Sequence, residues 1–505
     1  MIPLTLEAIA AATGGRVAGG ADPAAVAIGA STDSRAVAPG DLFVAVVGEH
    51  HDAHDHAAEA ISNGAVAVLA SRVLDVPCVV VDDTVTALGR LARSVIDSLA
   101  DLVVVGVTGS SGKTSTKDLL AHVLPAFGDT LAPVGSFNTE VGLPMTALRL
   151  APGTRVLVAE MGARGIGHIR YLTDIAPPRI GVVLNVGSAH VGEFGSVEAI
   201  AAAKGELVEA LPHAGAGGVA VLNADDPLVA AMRARTTARV VTYGESPEAD
   251  VRADDVHLDD RGRPSFALVH EGRRARVSMG VHGRHQVSNA LAVSAVALAL
   301  GLDLDQVADS LSRARAASRW RGDVTDTASG VTVVNDAYNA NPGSMVVALE
   351  LLAAMTRVTP TRNARRSVAV LGEMLELGDR SVHEHGVVGR AAVRLGVDRL
   401  VVVGDGEAVQ EMRDSALGEG GSAVLVADVD VAVALLRTEL EAGDVVLVKA
   451  SRSVGLDRVA AALLDEVRGE VPAVDDPVTV VDDPVPGGLA PGDRVSQTDP
   501  SGARA

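Results

Sequence analysis

Residues 102–118 have the sequence LVVVGVTGSSGKTSTKD, and this stretch predicts how the middle of the chain folds. Its apolar, β-branched start is typical of a buried parallel strand, and the glycines that follow indicate a tight loop before a helix that begins at Lys113. The backbone N–H groups of such a loop can surround phosphate oxygens at the N-terminus of the helix. Lys113 can then reach the β and γ phosphates, and the Thr114 hydroxyl is placed to bind Mg²⁺.

The loop departs from the generic phosphate-loop pattern G-x-x-x-x-G-K-[ST]. Val107 stands where the first glycine is usual, and the glycines present before Gly112 are Gly106 and Gly109. The alternative is a glycine-rich turn before an ordinary helix, which the preceding strand makes less attractive.

Composition limits the class of protein. A chain of 505 residues with 48% hydrophobic residues can form roughly two to four domains. The net charge of −21 argues against nucleic acid as the main partner, because nucleic-acid phosphates need a basic face. The single cysteine, Cys78, excludes an intrachain disulfide framework and is interpreted as a small buried residue in a reducing compartment. The first residues lack the features of a secretion signal, and the longest uncharged stretch, 286–302, is too short and polar to span a bilayer, so we expect a cytoplasmic protein without membrane insertion.

Lysine is rare in this chain. Of 43 basic residues only four are lysines, Lys113, Lys117, Lys204 and Lys449. They are candidates for sites that need a compact amine, which guanidinium cannot imitate. Lys117 is also explained as a charge on the surface of the phosphate-loop helix.

The first part of the chain contains two notable groups of residues. Residues 31–35 (STDSR) form a polar loop before a strand predicted at 41–47. Clustered histidines raise a metal hypothesis, but partners for a closed zinc site are missing, so solvated or phosphate-contacting histidines are the preferred interpretation. These histidines are His50, His51, His54 and His56.

Three candidate metal-site residues follow the phosphate loop. Glu160 comes at the end of a predicted strand, at the sheet edge where a Mg²⁺-nucleotide site needs a carboxylate. His190 follows the next strand and is a plausible second ligand in the same crevice. Lys204 lies on a helix. The alternatives are a water-facing loop carboxylate for Glu160, a hydrogen-bonded loop histidine for His190, and a surface ion pair with Glu206 for Lys204.

The remaining stretches complete the expected architecture. Residues 243–285 suggest a small β excursion, and Asn289 on the next helix needs a partner, either a protein group or a base. Strands at 331–334, 368–371, 400–403 and 445–448 alternate with helices and predict a second α/β fold. Residues 471–505 have the composition of a disordered acidic, proline-rich tail.

Several motifs in this order resemble the Mur ligase family over roughly residues 1–470. The motifs are VTGSSGKTST, SFNTEVGLPMTAL, AEMG with Glu160, NVGSAHVG with His190, Lys204-Gly205-Glu206, GRHQVSNALA, NDAYNANPGSM, VLGEMLELG and LVKASRSVGLDRV. The offset position of the first glycine in the phosphate loop is typical of this family. The resemblance implies an α/β protein of three domains: a small N-terminal α/β domain (1–95), a central P-loop-type parallel sheet domain (96–320) and a C-terminal Rossmann-like α/β domain (321–470).

The resemblance also implies roles for individual residues. Lys113, His190 and Lys204 would be catalytic, with Lys204 carbamylated. Two Mg²⁺ ions would be held by Thr114, Glu160, His190 and Lys204. ATP would contact Thr108, Gly109, Ser110, Ser111, Gly112, Lys113, Thr114, Asn289, Arg321 and Asp336. The substrates would contact Ser31, Asp33, Ser34, Arg35, Asn138, Thr139, Asn339 and Asn341. The family usually has an aspartate at Asn335, and His50 and His56 stand where aromatic or other residues are common, so the roles of these positions stay open.

The motifs AYNANPGSM and LGEMLELG imply the family activity that adds D-alanyl-D-alanine to UDP-N-acetylmuramoyl-tripeptide, with ATP forming an acyl phosphate. We expect a monomer. The third residue of the peptide (diaminopimelate or lysine) and the general base for the amine stay open.

Three alternative functions compete with this activity: another amide ligase of the superfamily, such as one that extends folate with glutamate, a nucleotide-dependent switch protein, and a non-catalytic nucleotide-binding relative. The 31–35 module argues against the first, and the absence of an N-K-x-D motif argues against the second.

Overall fold

The computed structural model describes residues 1–48, 51–133, 135–187, 191–358 and 364–465. The predicted tail at 471–505, together with His50 and His190, lies outside these residues. Contacts divide the chain into two compact units: the described residues of the first run from 3 to 88, and those of the second are 1–2 and 89–465 with the gaps given above. The structure is α/β throughout, as predicted.

The first unit is built on a five-stranded sheet of order β2-β7-β6-β5-β4, parallel except for β2, with a two-stranded ribbon β1-β3. Its elements are β1 Leu4–Thr5, α1 Leu6–Thr13, β2 Arg16–Ala18, β3 Val26–Ala27, β4 Gly29–Ser31, β5 Asp41–Val44, α2 Ala57–Ser62, β6 Ala67–Ala70 and β7 Cys78–Val80. Cys78 is buried in the core, as expected. Helix α3 (Thr84–Asp97) leads into the second unit.

The second unit begins with a nine-stranded sheet of order β16-β15-β14-β13-β12-β11-β8-β10-β9. Its strands are β8 Val103–Thr108, β9 Thr130–Leu131, β10 Val156–Glu160, β11 Ile180–Val183, β12 Val219–Asn223, β13 Arg239–Gly244, β14 Val251–Leu258, β15 Pro264–His270 and β16 Arg273–Ser278. Its helices are α4 Lys113–Val123, α5 Gly142–Ala147, α6 His168–Ile175, α7 Val191–Phe194, α8 Val197–Glu209, α9 Pro227–Ala230, α10 His285–Ala299 and α11 Leu304–Arg313. Adjacent strands are parallel along the sheet from β9 through β10, β8, β11, β12 and β13 to β14. The remaining pairs, β14 with β15 and β15 with β16, are antiparallel and form a meander. The predicted β excursion therefore extends the central sheet rather than leaving it.

A six-stranded sheet of order β17-β18-β22-β19-β20-β21 completes this unit, with only β17 antiparallel among the described strands. Its elements are β17 Asp323–Asp326, β18 Thr332–Asn335, α12 Pro342–Thr356, β19 Ser367–Leu371, α13 Ser381–Arg394, β20 Arg399–Val403, α14 Glu407–Gly418, β21 Ala423–Val426, α15 Val429–Glu439, β22 Val445–Lys449 and α16 Asp457–Asp465. Apolar cores cover both faces of this sheet, as expected for parallel strands between helices.

The sheets explain where the site forms. In the nine-stranded sheet β8 lies between β10 and β11, so the carboxyl ends of these three strands meet at one edge. Ligands bind at that edge in open α/β sheets. In the part of the chain that is described, no helix is long and apolar enough to cross a membrane.

Candidate nucleotide site

The phosphate loop has the predicted strand-loop-helix form. Strand β8 ends at Thr108, and α4 begins at Lys113 immediately after Gly112. Gly112 has a φ of 80°, and a Cβ at this position would lie 2.6 Å from Asn289 Oδ1. Glycine is therefore required here both by backbone conformation and by space. Val107 continues the buried strand where the generic motif has its first glycine.

Lys113 folds back over this loop. Its Nζ donates a hydrogen bond to the Gly109 carbonyl oxygen at 2.8 Å. Burial lowers the pKa of the Lys113 ammonium, the Glu160 carboxylate opposes that change, and the Arg321 guanidinium adds to it. The loop, the N-terminus of α4 and two neighbouring cations thus make a pocket suited to polyanionic phosphate.

Glu160 and Thr114 form the oxygen-rich part of the site. Glu160 is the last residue of β10 and is 1% exposed, so the alternative of a water-facing carboxylate is wrong. Its carboxylate accepts hydrogen bonds from Thr114 Oγ1 at 3.2 Å and from Asn138 Nδ2 at 2.8 Å. Ser136 Oγ lies 3.0 Å from Thr114 Oγ1. Carboxylate and hydroxyl oxygens side by side are the donors that Mg²⁺ prefers.

Lys204 lies on α8 and is 4% exposed. Burial, with a further contribution from the charge of Lys113, lowers the pKa of Lys204 to about 7. The alternative of a surface ion pair with Glu206 is wrong, because Glu206 is also buried and accepts backbone hydrogen bonds from Gly167 at 2.6 Å and Arg170 at 3.0 Å. Glu206 therefore caps the N-terminus of α6, and Lys204 has no hydrogen-bond or ion-pair partner within the described ranges.

Arg321 reaches the phosphate loop from the start of the six-stranded sheet. Its Nη2 donates to Thr114 Oγ1 and to Ser136 Oγ, both at 3.1 Å. The guanidinium lies 3.9 Å from the centroid of the Tyr338 ring. Its Nε is buried without a hydrogen-bond partner among the residues described, so this group keeps donor capacity for a ligand.

Asp336 follows β18 and lies beside Lys449, the last residue of β22. Lys449 Nζ donates to Asp336 Oδ2 at 2.7 Å and to the Asn339 carbonyl oxygen at 2.8 Å. Asn335, where the family usually has an aspartate, accepts a hydrogen bond from the Ala337 backbone at 3.2 Å. The neutral amide thus shapes the turn that presents Asp336.

Other predicted residues have protein partners in this structure. Asn289 accepts from Thr116 Oγ1 at 3.3 Å and donates to Gln286 Oε1 at 3.0 Å. Thr139 Oγ1 accepts from the Gly142 backbone at 3.2 Å, at the start of α5. Asn341 caps α12. These contacts give Asn289, Thr139 and Asn341 structural tasks, and their predicted ligand contacts stay predictions.

The predicted 31–35 loop, in the first unit, is held by its own side chains. Ser31 Oγ donates a hydrogen bond to the Asp33 carbonyl oxygen and accepts one from the Asp33 backbone N–H. The Asp33 carboxylate pairs with the exposed Arg35 at 2.9 Å. Ser34 Oγ donates to Glu59 Oε2 at 2.7 Å. The exposed Arg35 guanidinium thus meets both oxygens of the Asp33 carboxylate, and the substrate contacts predicted for this loop stay predictions.

The histidine cluster does not form a metal site in the described part of the first unit. His54 is buried, accepts from the Ser71 backbone at its Nε2 and contacts Asp52 through its Nδ1, so both ring nitrogens are in use. Over the described ranges as a whole, no group of three or more His, Cys, Asp or Glu side chains could hold a metal ion.

Lys117 and Asn185 contribute in ways that the sequence analysis did not identify. Lys117 is 2% exposed and pairs with Asp118, so its interpretation as a surface charge is wrong. Asn185 follows β11, and its side chain accepts from the Ser111 backbone N–H at 2.9 Å and donates to the Ser111 carbonyl oxygen at 3.2 Å. Asn185 thereby fixes the middle of the phosphate loop.

We expect Asn185→Ala to weaken ADP binding by up to about 30-fold, because two hydrogen bonds worth ~1 kcal/mol each no longer order the loop before it meets the phosphates. Equilibrium titration with ADP measures the effect. Asn223→Ala is the matched control, since Asn223 bonds to the Leu184 carbonyl oxygen and to the Asp225 backbone and does not contact the loop. Equal ADP affinity of Asn185→Ala and wild type would show that the hydrogen bonds between Asn185 and Ser111 are not needed for nucleotide binding.

Comparison with known proteins identifies similar sequences and structures. Residues 29–95 match the Mur ligase family catalytic domain, 107–297 the Mur ligase middle domain and 320–452 the Mur ligase glutamate ligase domain. The UDP-N-acetylmuramoyl-tripeptide--D-alanyl-D-alanine ligase of Mycobacterium tuberculosis is 48% identical over 513 residues, covering 93% of this chain and 100% of that protein. A crystal structure of MurF from Acinetobacter baumannii is 32% identical with a TM-score of 0.82, covering 92% of this chain and 99% of the other. MurF ligase from Thermotoga maritima in complex with ADP is 32% identical with a TM-score of 0.75, covering 87% of this chain and 98% of the other.

Proposed function

This chain belongs to the Mur ligase family, and we propose that within the family it joins D-alanyl-D-alanine to the tripeptide carboxylate of UDP-N-acetylmuramoyl-tripeptide, with cleavage of ATP, in peptidoglycan synthesis. The observation that carries the proposal is the convergence of Lys113, Thr114, Glu160 and Arg321 on one phosphate loop, with buried Lys204 near Lys113. A site of this kind suits phosphoryl transfer, which needs positioned charge rather than a covalent protein intermediate. The full-length similarity to a ligase with this name supports the choice of substrates.

In the proposed reaction the tripeptide carboxylate attacks the γ phosphorus of ATP, and ADP leaves. The amine of D-alanyl-D-alanine then attacks the resulting acyl phosphate, and phosphate leaves as the amide bond forms. Lys113 and the N-terminus of α4, which begins directly after Gly112, hold the phosphates throughout. Arg321, which retains a free donor at Nε within the described structure, stabilises the charge that develops on the transferred group.

The donor set fits Mg²⁺. The Thr114 hydroxyl and the Glu160 carboxylate lie 3.2 Å apart and are both buried, and a hard divalent cation prefers such oxygen donors. We propose that these two residues hold one ion, and that His190 and carbamylated Lys204 direct a second. When bound, Mg²⁺ would supply charge neutralisation at the phosphoryl oxygens.

Carbamylation suits the environment of Lys204. The amine nitrogen must be neutral to attack the carbon of CO₂, forming the N–C bond and releasing a proton. With a pKa of about 7, a large fraction of the Lys204 amine is neutral near pH 7. Burial that disfavours an ammonium would also disfavour a lone carbamate anion, so the modification needs a cation beside it.

The remaining assignments belong to the same proposal. The 31–35 loop, through Ser31, Asp33, Ser34 and Arg35, would bind the UDP moiety, and Asn138, Thr139, Asn339 and Asn341 would line the path of the peptide substrates. Asn289 would contact the adenine of ATP, and Arg321 and Asp336 would complete the ATP site. The protein would act as a cytoplasmic monomer, with domains at 1–95, 96–320 and 321–470.

Release of ADP by purified protein tests the proposal. We expect ADP only when ATP, Mg²⁺, UDP-N-acetylmuramoyl-tripeptide and D-alanyl-D-alanine are all present, with a lysine- and a diaminopimelate-containing tripeptide compared in parallel. Parallel reactions with a folate and glutamate address the other ligase class. ADP release with the folate pair, and none with the peptide pair, would overturn the proposal.

A further inference from the structure

Lys449 is a buried lysine to which the proposed reaction gives no task, although lysine is rare in this chain. We infer that Lys449 is a positioning residue for the nucleotide site: it fixes the 336–339 loop, and that loop holds the Arg321 guanidinium at Thr114 through the ring of Tyr338. The inference rests on the proposed function only in taking the phosphate loop as the ATP site.

The first step is the tie between two strand ends. Lys449 is 3% exposed, and its ammonium contacts the Asp336 carboxylate at 2.7 Å, the Asp336 carbonyl oxygen at 3.3 Å and the Asn339 carbonyl oxygen at 2.8 Å. The Asp336 backbone N–H also donates to the Val448 carbonyl oxygen at 2.9 Å. All three donors of one compact ammonium are therefore spent on a single four-residue loop.

The second step runs from the loop to the phosphate site. Tyr338 lies inside the fixed loop, and its ring faces the Arg321 guanidinium at 3.9 Å. The Tyr338 backbone N–H donates to the Trp320 carbonyl oxygen at 3.2 Å, immediately before Arg321. Arg321 in turn donates to Thr114 and Ser136, which are separated from it by 207 and 185 positions in sequence. Both the backbone and the ring of Tyr338 thus restrain the Arg321 segment.

The third step concerns charge. Asp336 is 22% exposed and its carboxylate has Lys449 as its ion-pair partner. Removal of the cation would leave this partly buried carboxylate uncompensated, which is destabilising, so the 336–339 loop that carries Tyr338 is expected to move, and Tyr338 contacts Arg321. An arginine at 449 would keep the charge, but its planar fork cannot replace an ammonium that meets three oxygens at one point.

The test compares nucleotide binding by Lys449→Met, Lys449→Arg, Tyr338→Leu and Tyr338→Phe in the full chain. We expect ADP affinity in the presence of Mg²⁺ to fall about tenfold or more for Lys449→Met, the size of losing one hydrogen bond to a charged group, because Arg321 would no longer be held at Thr114 and Ser136. Lys449→Arg should show an intermediate loss. Tyr338→Leu should lose several-fold in affinity, in line with a cation–π contact of ~1 kcal/mol, and Tyr338→Phe should bind as wild type.

Arg366→Met is the matched control. Arg366 pairs with Asp444, next to the opposite end of β22, at 3.3 Å, and Asp444 is 6% exposed. The Arg366 side chain is more exposed than that of Lys449, at 36% against 3%, and it binds Asp444 and the Glu439 carbonyl oxygen rather than the 336–339 loop. We expect removal of either cation to lower thermal stability. Trp320 is the only tryptophan in the chain and lies 4.1 Å from the Arg452 guanidinium. Its fluorescence therefore reports on this segment, and it should change in Lys449→Met but not in Arg366→Met.

An ADP affinity of Lys449→Met within about twofold of Arg366→Met, with unchanged Trp320 emission, would overturn the inference. If Lys449→Met does not fold, Lys449→Arg and Tyr338→Leu decide instead. The inference requires both to bind ADP more weakly than Arg366→Met and Tyr338→Phe, and equal ADP affinities would overturn it. ADP binding needs neither amide substrate, so a chain with another acyl substrate would fail the proposed function and still show the Lys449 effect.

Discussion

ADP formation by the Lys204→Ala variant is expected to fall by on the order of 10²- to 10³-fold, the range seen when one group that stabilises transition-state charge is removed. The reason is that the proposed carbamate, and with it a metal-directed carboxylate, cannot form. Lys204→Arg should be equally impaired despite its positive charge, because guanidinium does not form the carbamate. The measurement is steady-state ADP release at saturating Mg²⁺.

Formate or acetate should restore part of the activity of Lys204→Ala by placing a carboxylate in the vacated space. Lys117→Ala is the control, because Lys117 is also a buried lysine and donates to the carbonyl oxygens of Pro133 at 2.8 Å and Gly135 at 3.2 Å. We expect it to lose stability and activity without any response to formate. Equal rescue of both variants, or of neither, would count against the carbamate.

The pH dependence has a defined sign. The pKa of Lys204 is lowered to about 7, so the reactive neutral amine predominates above pH 7 and is lost as the pH falls below it. Wild-type enzyme depleted of CO₂ should therefore regain activity faster at pH 8 than at pH 6 when bicarbonate is added so that the concentration of dissolved CO₂ is the same at both pH values. Lys204→Ala should show no bicarbonate response at either pH.

The phosphate loop could be predicted from sequence because its determinants are local. A buried strand, glycines and the first turn of α4 follow one another within 102–118, and each is set by neighbouring residues. The burial of Lys204 also has a local signature in the sequence. The buried apolar side chains of α8 include Ile200, Ala203, Leu207 and Val208, and Lys204 follows Ile200 by four positions, so it falls on the same face of the helix.

The links between distant segments could not be predicted in this way. Lys449 meets Asp336 across 113 positions and Asn185 meets Ser111 across 74, and neither pair produces a periodic pattern. The strands β17 and β21 were also missed. Both lie at edges of the six-stranded sheet, where β17 is exposed or half-buried and β21 mostly half-buried, whereas β18, a central strand of the same length, is buried throughout.

Replacing Glu160 with glutamine should lower Mg²⁺-dependent ADP formation by on the order of 10²-fold or more, and should raise the Mg²⁺ concentration needed for half-maximal rate. The change preserves shape but replaces one carboxylate oxygen with an NH₂ group. Thr114 Oγ1 and Asn138 Nδ2 both donate to this carboxylate, so the amide also brings donor against donor. ADP release is measured over a Mg²⁺ series, with titration of ADP in its presence and absence.

Glu206→Gln separates a metal role for Glu160 from a structural one. Glu206 is 3% exposed, similar to Glu160, and accepts two backbone N–H groups at the start of α6. Glutamine keeps one acceptor there, so we expect a loss of ~1–2 kcal/mol in the free energy of unfolding with no change in the Mg²⁺ requirement. If Glu160→Gln also keeps the wild-type Mg²⁺ requirement, Glu160 serves only to orient Thr114 and Asn138. If the Mg²⁺ concentration needed for half-maximal rate rises in Glu160→Gln but not in Glu206→Gln, the Glu160 carboxylate binds the ion, because the two variants remove the same charge from similarly buried positions.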